Sequence, residues 1–239
     1  MSDALRNDDS MIGTDIGSAS PVAGFLSVGG GHSNLGQSGR LRDVAWYYAI
    51  RRVFDVLGSL MLLLTMMPML LVVACLIKLD SPGPVLYRQR RVGLHGRSFT
   101  LLKFRSMRID AEAGGPCWAV ETDPRVTRIG AFIRATRVDE TPQLLNVLLG
   151  EMSLVGPRPE RPFFAEQLAR IIPRYEERTI VLPGITGWAQ VNFPYCASVE
   201  DARAKLAYDL FYIHNRTLLL DLRILLATVR VVILRIGAR

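Results

Sequence analysis

The stretch RRVFDVLGSLMLLLTMMPMLLVVACLIKLDSPGP, residues 51–84, decides how this chain is built. No charge interrupts it from Val56 to Ile77. At ~1.5 Å rise per residue such a run is long enough to cross a bilayer as a helix. Pro68 lies near its middle, where the ring removes a backbone donor and crowds the carbonyl of Leu64, so a bend is expected there. Arg40, Arg42, Arg51 and Arg52 precede the run, and Lys78, Arg88, Arg90 and Arg91 follow it. Basic flanks favour the cytoplasmic side of a membrane, and a straight span cannot put both ends there. Two readings stand on these residues: a kinked transmembrane helix, or a re-entrant helix that bends at Pro68 and leaves by the face it entered.

Outward from this segment, composition narrows the partners. The 239 residues are 49% hydrophobic, with net charge +7, a pI near 9.7 and mean hydropathy +0.22. Apolar and basic together point to anionic headgroups or a phosphate-bearing substrate. Nucleic acid is disfavoured, because the arginines are scattered among apolar positions and no aromatic platform accompanies them. Cys75, Cys117 and Cys196 are far apart and His32, His95 and His214 are isolated, which argues against a disulfide framework or a structural zinc site and fits a reducing compartment. Residues 1–42, with SVGGGHSNLGQSG near their end, read as a disordered polar tail. Their glycines follow no strand and fit no phosphate-binding fingerprint.

Beyond DSPGP, VLYRQRRVGLHGRSFTLLKFRSM reads as two short strands around a Gly93–Gly96 turn. Lys103 and Arg105 are two apart and share a face if the second strand runs that far. DPRVTRIGAFIRATRV has helical apolar spacing at Val126, Ile129 and Ile133, with Arg125, Arg128 and Arg134 interleaved. The C-terminal stretch is helical in at least two pieces. Arg216, Arg223 and Arg230 recur every seven residues, a cationic stripe on an apolar helix that suits a membrane interface or packing against other apolar helices.

The chemistry concentrates in TRVDETPQLLNVLLGEMSLVGPRPE, residues 136–160. Thr141-Pro142 reads as a helix start, with Thr141 as N-cap and Pro142 in the first turn, and Gly150 ends the helix. Asp139 and Glu140 then stand at the positive end of a helix dipole, which acidic residues favour for stability alone. The same end also binds phosphate, and Lys103, Arg105, Arg134 and Arg158 are candidates to converge on it. Two carboxylates beside cations suit one nucleophile and one metal ligand, since a carboxylate attacks phosphorus only when cations offset the repulsion between anions. Gly156-Pro157-Arg158-Pro159 is a stiff loop that would present one arginine at little entropic cost.

Five blocks in order, KFRSM, DPRVTRIG, RVDETPQLLNVLLGEMSLVGPRPE, PGITGWAQVN and YDLFYIHNRTLLLDLRILLATV, make the chain resemble the monotopic phosphoglycosyl transferases from about Tyr47 to Arg235. These are bacterial sugar transferases that begin capsule, exopolysaccharide and glycoconjugate assembly. The resemblance implies transfer of a sugar 1-phosphate from a nucleotide diphosphate sugar, usually a UDP-sugar, to a polyprenol phosphate such as undecaprenyl phosphate. It casts Asp139 as the nucleophile that holds a covalent phosphosugar, and Glu140 as the carboxylate that binds Mg2+. Arg134 and Arg158 match phosphate and nucleotide contacts, and Asp221 an acidic residue near the site. Lys103 and Arg105 are assigned to phosphate binding on charge as much as on motif. Many members follow the GITG…QV block with a Gly-Arg pair. Here QVNFPYCASVEDA stands instead, which puts that contact in doubt. Larger members carry further transmembrane helices ahead of this core, so the chain resembles the compact form.

The expectation is therefore an α+β fold: a re-entrant membrane helix over 43–80, a small cytoplasmic catalytic domain with short strands over 81–215, and an amphipathic interfacial helix over 216–239. It would sit on the cytoplasmic face of a bacterial inner membrane. A homodimer through the apolar helices is a further expectation. The rival reading is a membrane-anchored interaction protein with a basic surface and no chemistry, which gives no reason for Asp139-Glu140 against a Pro-Arg-Pro loop.

Overall fold

The computed structural model describes residues 37–113, 115, 123–193 and 198–234. Most of the tail read over 1–42, as well as Cys117 and Cys196, lies outside these. The fold is α+β. A helix α1, Gln37–Asp80, precedes an antiparallel hairpin of β1, Leu86–Val92, and β2, Ser98–Phe104. Helices α2, Arg128–Ala135, and α3, Gln143–Leu149, follow. Strands β3, Ser153–Val155, and β4, Gly184–Thr186, pair in parallel, with α4, Pro162–Ile171, in the crossover between them. The chain then runs through α5, Trp188–Asn192, α6, Val199–Asn215, and α7, Leu218–Ile233.

Residues 51–84 thus carry one helix rather than two, and it continues through Pro68. Its buried positions, Arg51, Asp55, Ser59, Leu63, Leu70, Val73 and Ile77, recur at three-, four- and seven-residue spacing and so form one stripe. The opposite side exposes Leu57, Leu60, Met61, Leu64, Met67, Leu71 and Val72. The stripe is polar at its start. Arg51 donates to Ser153 Oγ at 2.9 Å and to the Val155 carbonyl. Asp55 accepts from Ser153 Oγ at 3.0 Å and from the Leu154 N–H at 2.8 Å. Arg52 caps the end of α3 through the carbonyls of Val147 and Leu148. Further along, Leu63, Leu70, Val73 and Ile77 join Phe104, Ile133 and Leu144 in one apolar cluster. A second cluster forms where α6 and α7 cover the parallel strands, with Val155, Leu168, Ile172, Leu206, Tyr212 and Ile224 at its centre.

The hairpin follows from its sequence. Leu86↔Phe104 through Val92↔Ser98 pair in register, and the chain reverses through Leu94–Gly96 as the glycines require. The helix after the acidic pair starts later than expected. Asp139 and Glu140 lie in a single 3-10 turn, Val138–Glu140, and Pro142 takes the N-cap position of α3. Thr141 does not cap, because its hydroxyl donates back to the Val138 carbonyl at 2.7 Å. Gly150 ends α3 with φ of 83°, a left-handed conformation that favours glycine.

The seven-residue arginine repeat is not one stripe on one helix. The chain leaves α6 at Arg216, and α7 restarts with Thr217 Oγ accepting from the Leu220 N–H at 3.1 Å. Arg216 instead stacks on Tyr48, 5.0 Å from the ring centre, while Arg223 and Arg230 stay exposed on α7.

Candidate active site

A cleft of about 620 Å³ opens between the hairpin, the 3-10 turn and the start of α6. Arg137 takes a left-handed φ of 56° just ahead of the turn, a conformation costly for a side chain with a Cβ. That reversal carries the chain from α2 directly into Asp139 and Glu140. Both carboxylates line the cleft with Lys103, Arg134 and Arg158. In all, nine cationic and five acidic residues border it, so its potential favours an anionic ligand.

Asp139 is 9% exposed. Burial, and then the charge of Glu140, push its carboxyl up to about 6, although Lys103, Arg158 and Arg134 pull the other way. Near pH 7 it is still mostly ionised, which a nucleophile needs. Burial works against Glu140 as well, but Arg158 holds that carboxyl below its usual range. Arg158 Nη1 donates to Glu140 Oε2 at 3.0 Å and Nη2 to Oε1, a two-pronged pair. Lys103 is brought down to about 8 by desolvation, reinforced by Arg91. It still bears its charge near neutrality, weakly enough to respond to a bound phosphate.

Arg158 reaches the cleft from the Gly156–Glu160 loop after β3. This loop packs backbone to backbone on β4, where a Cβ at Gly184 would meet the Gly156 nitrogen at 2.1 Å. Arg91 was read from sequence only as a flanking charge, yet it borders the cleft. The two-residue period of the hairpin signals this, because Arg91 pairs with Phe99 and Tyr87 with Lys103 on one face. Glu160, Arg178 and Lys205 also border the cleft, and the sequence expectation did not include them. Burial would raise Glu160, but Lys205 and Arg178 hold it down at about 2.

Two residues assigned to the site from sequence are not brought to it. Strand β2 ends at Phe104, and Arg105 turns to the end of α1. There it donates to Ser81 O at 2.8 Å and to Pro82 O, satisfying carbonyls at that helix end. Asp221 is buried where α1, α6 and α7 meet, accepting from Tyr212 at 2.7 Å and Tyr47 at 3.1 Å, with Arg51 3.6 Å away.

Among the described residues no three His, Cys, Asp or Glu side chains group to hold a metal. Asp139 and Glu140 together offer the hard oxygen donors that suit Mg2+, which takes one or two carboxylates and completes its shell from phosphate and water. The residues present fit that partial shell.

The wall of the cleft nearest α1 and α7 is apolar, with Leu62, Met66, Val231 and Val232 on it. The cleft therefore joins charged and apolar side chains in one lining.

Comparison with known proteins agrees with this picture. The family model described as bacterial sugar transferase matches residues 46–235. The chain is similar to the UDP-N-acetylgalactosamine-undecaprenyl-phosphate N-acetylgalactosaminephosphotransferase of Aeromonas hydrophila, 46% identical over 208 residues, 87% of this chain and 49% of the relative. It is also 46% identical over 189 residues to the exopolysaccharide production protein PSS of Rhizobium leguminosarum bv. phaseoli, 75% of this chain and 93% of the relative. A UDP-glucose:undecaprenyl-phosphate glucose-1-phosphate transferase of Xanthomonas campestris pv. campestris is 41% identical over 198 residues, 82% of this chain and 41% of the relative. The chain spans about half the length of the Aeromonas relative. With most of its length matched by the family model, this chain belongs to the bacterial sugar transferase family.

Proposed function

We propose that the protein transfers a sugar 1-phosphate from a UDP-sugar to a polyprenol phosphate at the cytoplasmic face of a bacterial inner membrane. The observation that carries this reading is the cleft itself. A buried aspartate beside a part-buried glutamate, three of the cations assigned to phosphate, and apolar side chains of α1 and α7 all border one cavity. A water-soluble diphosphate donor suits the cationic side chains, and an isoprenoid chain suits the apolar ones from α1 and α7. The names of the relatives, which give undecaprenyl phosphate as acceptor and UDP-sugars as donors, support the same substrates.

In the first step an Asp139 carboxylate oxygen attacks the sugar-linked phosphorus. The bond from that phosphorus to the bridging oxygen breaks, and UMP leaves with the electron pair. In the second step an oxygen of the lipid phosphate attacks the same phosphorus, Asp139 is released as carboxylate, and a polyprenol diphosphate sugar forms. Lys103, Arg134 and Arg158 offset the negative charge gathered around the phosphoryl group in both steps. Mg2+ would be held by Glu140, with Asp139 beside it, and supplies further charge neutralisation when bound.

A re-entrant α1 is part of this proposal. About a third of the way along it, Arg51, Arg52 and Asp55 attach to α3 and β3. Near its end, Asp80 accepts from the Ile129 N–H at 3.2 Å and Arg105 takes carbonyls there. Those two attachment points are about 40 Å apart along a straight helix, more than the ~30 Å hydrocarbon core. One polar body attached to both supports a helix that stays in one leaflet with its exposed apolar side in lipid.

The test is UMP release by purified protein with Mg2+, UDP-glucose or UDP-N-acetylgalactosamine, and undecaprenyl phosphate. Release that needs one donor, and is lost in Asp139→Asn, is the expected result. An Asp139→Asn protein that still exchanges UMP into the donor would overturn the mechanism.

A further inference from the structure

The loop that presents Arg158 contains two prolines, so Pro157 and Pro159 have fixed φ and no N–H to donate. Its placement therefore depends on what takes its carbonyls. The Pro157 carbonyl accepts from the Gly184 N–H at 2.9 Å, and the Glu160 carbonyl from the Val92 N–H at 2.9 Å. The Pro159 carbonyl accepts from Arg91 Nη1 at 2.9 Å. The carbonyl of Arg158 itself accepts from Arg178 Nη2 at 3.0 Å.

Arg178 is the most heavily tied of these donors. Its side chain is 6% exposed. Nη2 also donates to Asp209 of α6 at 2.8 Å, and Nη1 to the Tyr175 hydroxyl at 2.6 Å. Glu160 lies 3.6 Å from Nη1 and is itself held by Lys205 at 2.8 Å. Both terminal nitrogens are thus engaged within the protein, in a planar fork that a lysine cannot reproduce. One guanidinium fixes the loop to α6 and to the 3-10 turn Tyr175–Thr179.

We propose that Arg178 is a positioning residue for donor binding: it holds the Arg158 backbone so that the Arg158 guanidinium meets the phosphates of the nucleotide. The inference rests on the donor-binding role given to Arg158 above. With both terminal nitrogens engaged within the protein, Arg178 acts through Arg158 and not on the substrate directly. It acts by keeping the loop preorganised, so that binding does not have to order it.

The experiment is a double-mutant cycle read by UMP dissociation constants from calorimetry, with donor KM and kcat measured alongside. Arg178→Lys keeps a positive charge beside Asp209 but loses the fork. If that protein does not fold, Arg178→Gln combined with Asp209→Asn removes the buried pair together and leaves no uncompensated carboxylate. Either variant should weaken UMP binding by about tenfold, the scale of a lost hydrogen bond to a charged group. Donor KM should rise more than kcat falls. In an Arg158→Ala background the same change should add less than about twofold, because nothing remains to be positioned. Wild-type UMP affinity in a variant of lowered Tm, or losses that add in full to those of Arg158→Ala, would mean that Arg178 only supports the fold, and would overturn the proposal. Unchanged UMP affinity in Arg158→Ala alone would instead remove the donor-binding reading, and this inference with it.

Discussion

Arg158 and Glu140 form a two-pronged ion pair in the lining of the cleft, with Nη1 3.0 Å from Oε2 and Nη2 against Oε1. Each partner occupies the group that the other's ligand would want. A nucleotide phosphate competes with Glu140 for the guanidinium, and a divalent cation competes with Arg158 for the carboxylate. Nucleotide and Mg2+ should therefore favour each other's binding.

Glu140→Gln tests this exchange. It frees Arg158 without a metal, so UMP affinity in EDTA should rise by about three- to tenfold, on the scale of one charge-assisted hydrogen bond. Wild-type protein should bind UMP more tightly when Mg2+ is added, and the variant should not. Turnover in the variant should fall by about 100-fold or more. A variant that keeps the full Mg2+ enhancement of UMP binding would show that Glu140 is not where the cation acts.

The pH dependence follows from two displaced groups. Asp139 must be ionised to attack, and its carboxyl is raised to about 6 by burial and by Glu140. Activity should therefore fall as pH drops through 6, well above the ~4 of an ordinary aspartate. Lys103 must be charged to hold phosphate and is lowered to about 8 by desolvation, so kcat/KM should fall again as pH climbs past 8. Lys103→Arg keeps its charge throughout this range, and the alkaline limb should move beyond pH 10. An alkaline limb unmoved in that variant would assign it to another group.

Asp139 also carries a cost in stability. Its carboxyl titrates near 3.9 in an unfolded chain and near 6 in the fold, so the native state binds the proton more tightly. Stability from this group is highest below pH 4 and declines as pH rises through 6. Asp139→Asn removes the buried charge and should stabilise the protein at pH 7 by about 1–3 kcal/mol while abolishing turnover. The gain should shrink to a small fraction near pH 4, where the wild-type carboxyl is protonated in the fold and about half protonated in the unfolded chain. Thermal denaturation of both proteins at pH 4 and pH 7 measures it. An equal gain at both values would point to packing instead.

What the sequence made legible was local. The hairpin turned where Gly93 and Gly96 announce it, and Gly150 ended α3, because backbone conformation alone sets those points. Asp139, Glu140 and Arg158 stood out because they lie within one motif. Arg105 reads as a site residue on charge as much as on motif, and Asp221 through the family resemblance, but their partners are tertiary. Those of Arg105 are carbonyls of α1 and the turn after it, and those of Asp221 include Tyr47, 174 residues away in the chain. Arg178 escaped notice for the same reason, since nothing near it in sequence announces Asp209 or the loop it holds.

The membrane geometry of α1 is open to direct test. In a background with Cys75, Cys117 and Cys196 replaced by serine, single cysteines at Trp46 and Leu79 report the two ends of the apolar run. Both positions are exposed, at 67% and 83%, so a thiol reagent can reach them from whichever side of the bilayer they face. If α1 stays in the cytoplasmic leaflet, neither Trp46→Cys nor Leu79→Cys should react with an impermeant reagent in intact cells, and both should react in inside-out vesicles. Adding Pro68→Ala asks whether the proline turns the helix back. If Pro68 turns the helix back, restoring the backbone donor removes the cause, and Trp46→Cys should become reactive from outside. Reaction of Trp46→Cys in the Pro68 protein itself would mean that α1 crosses the membrane. The attachments of Arg51 and Asp55 to β3 could not then form while Asp80 holds α2 on the other side.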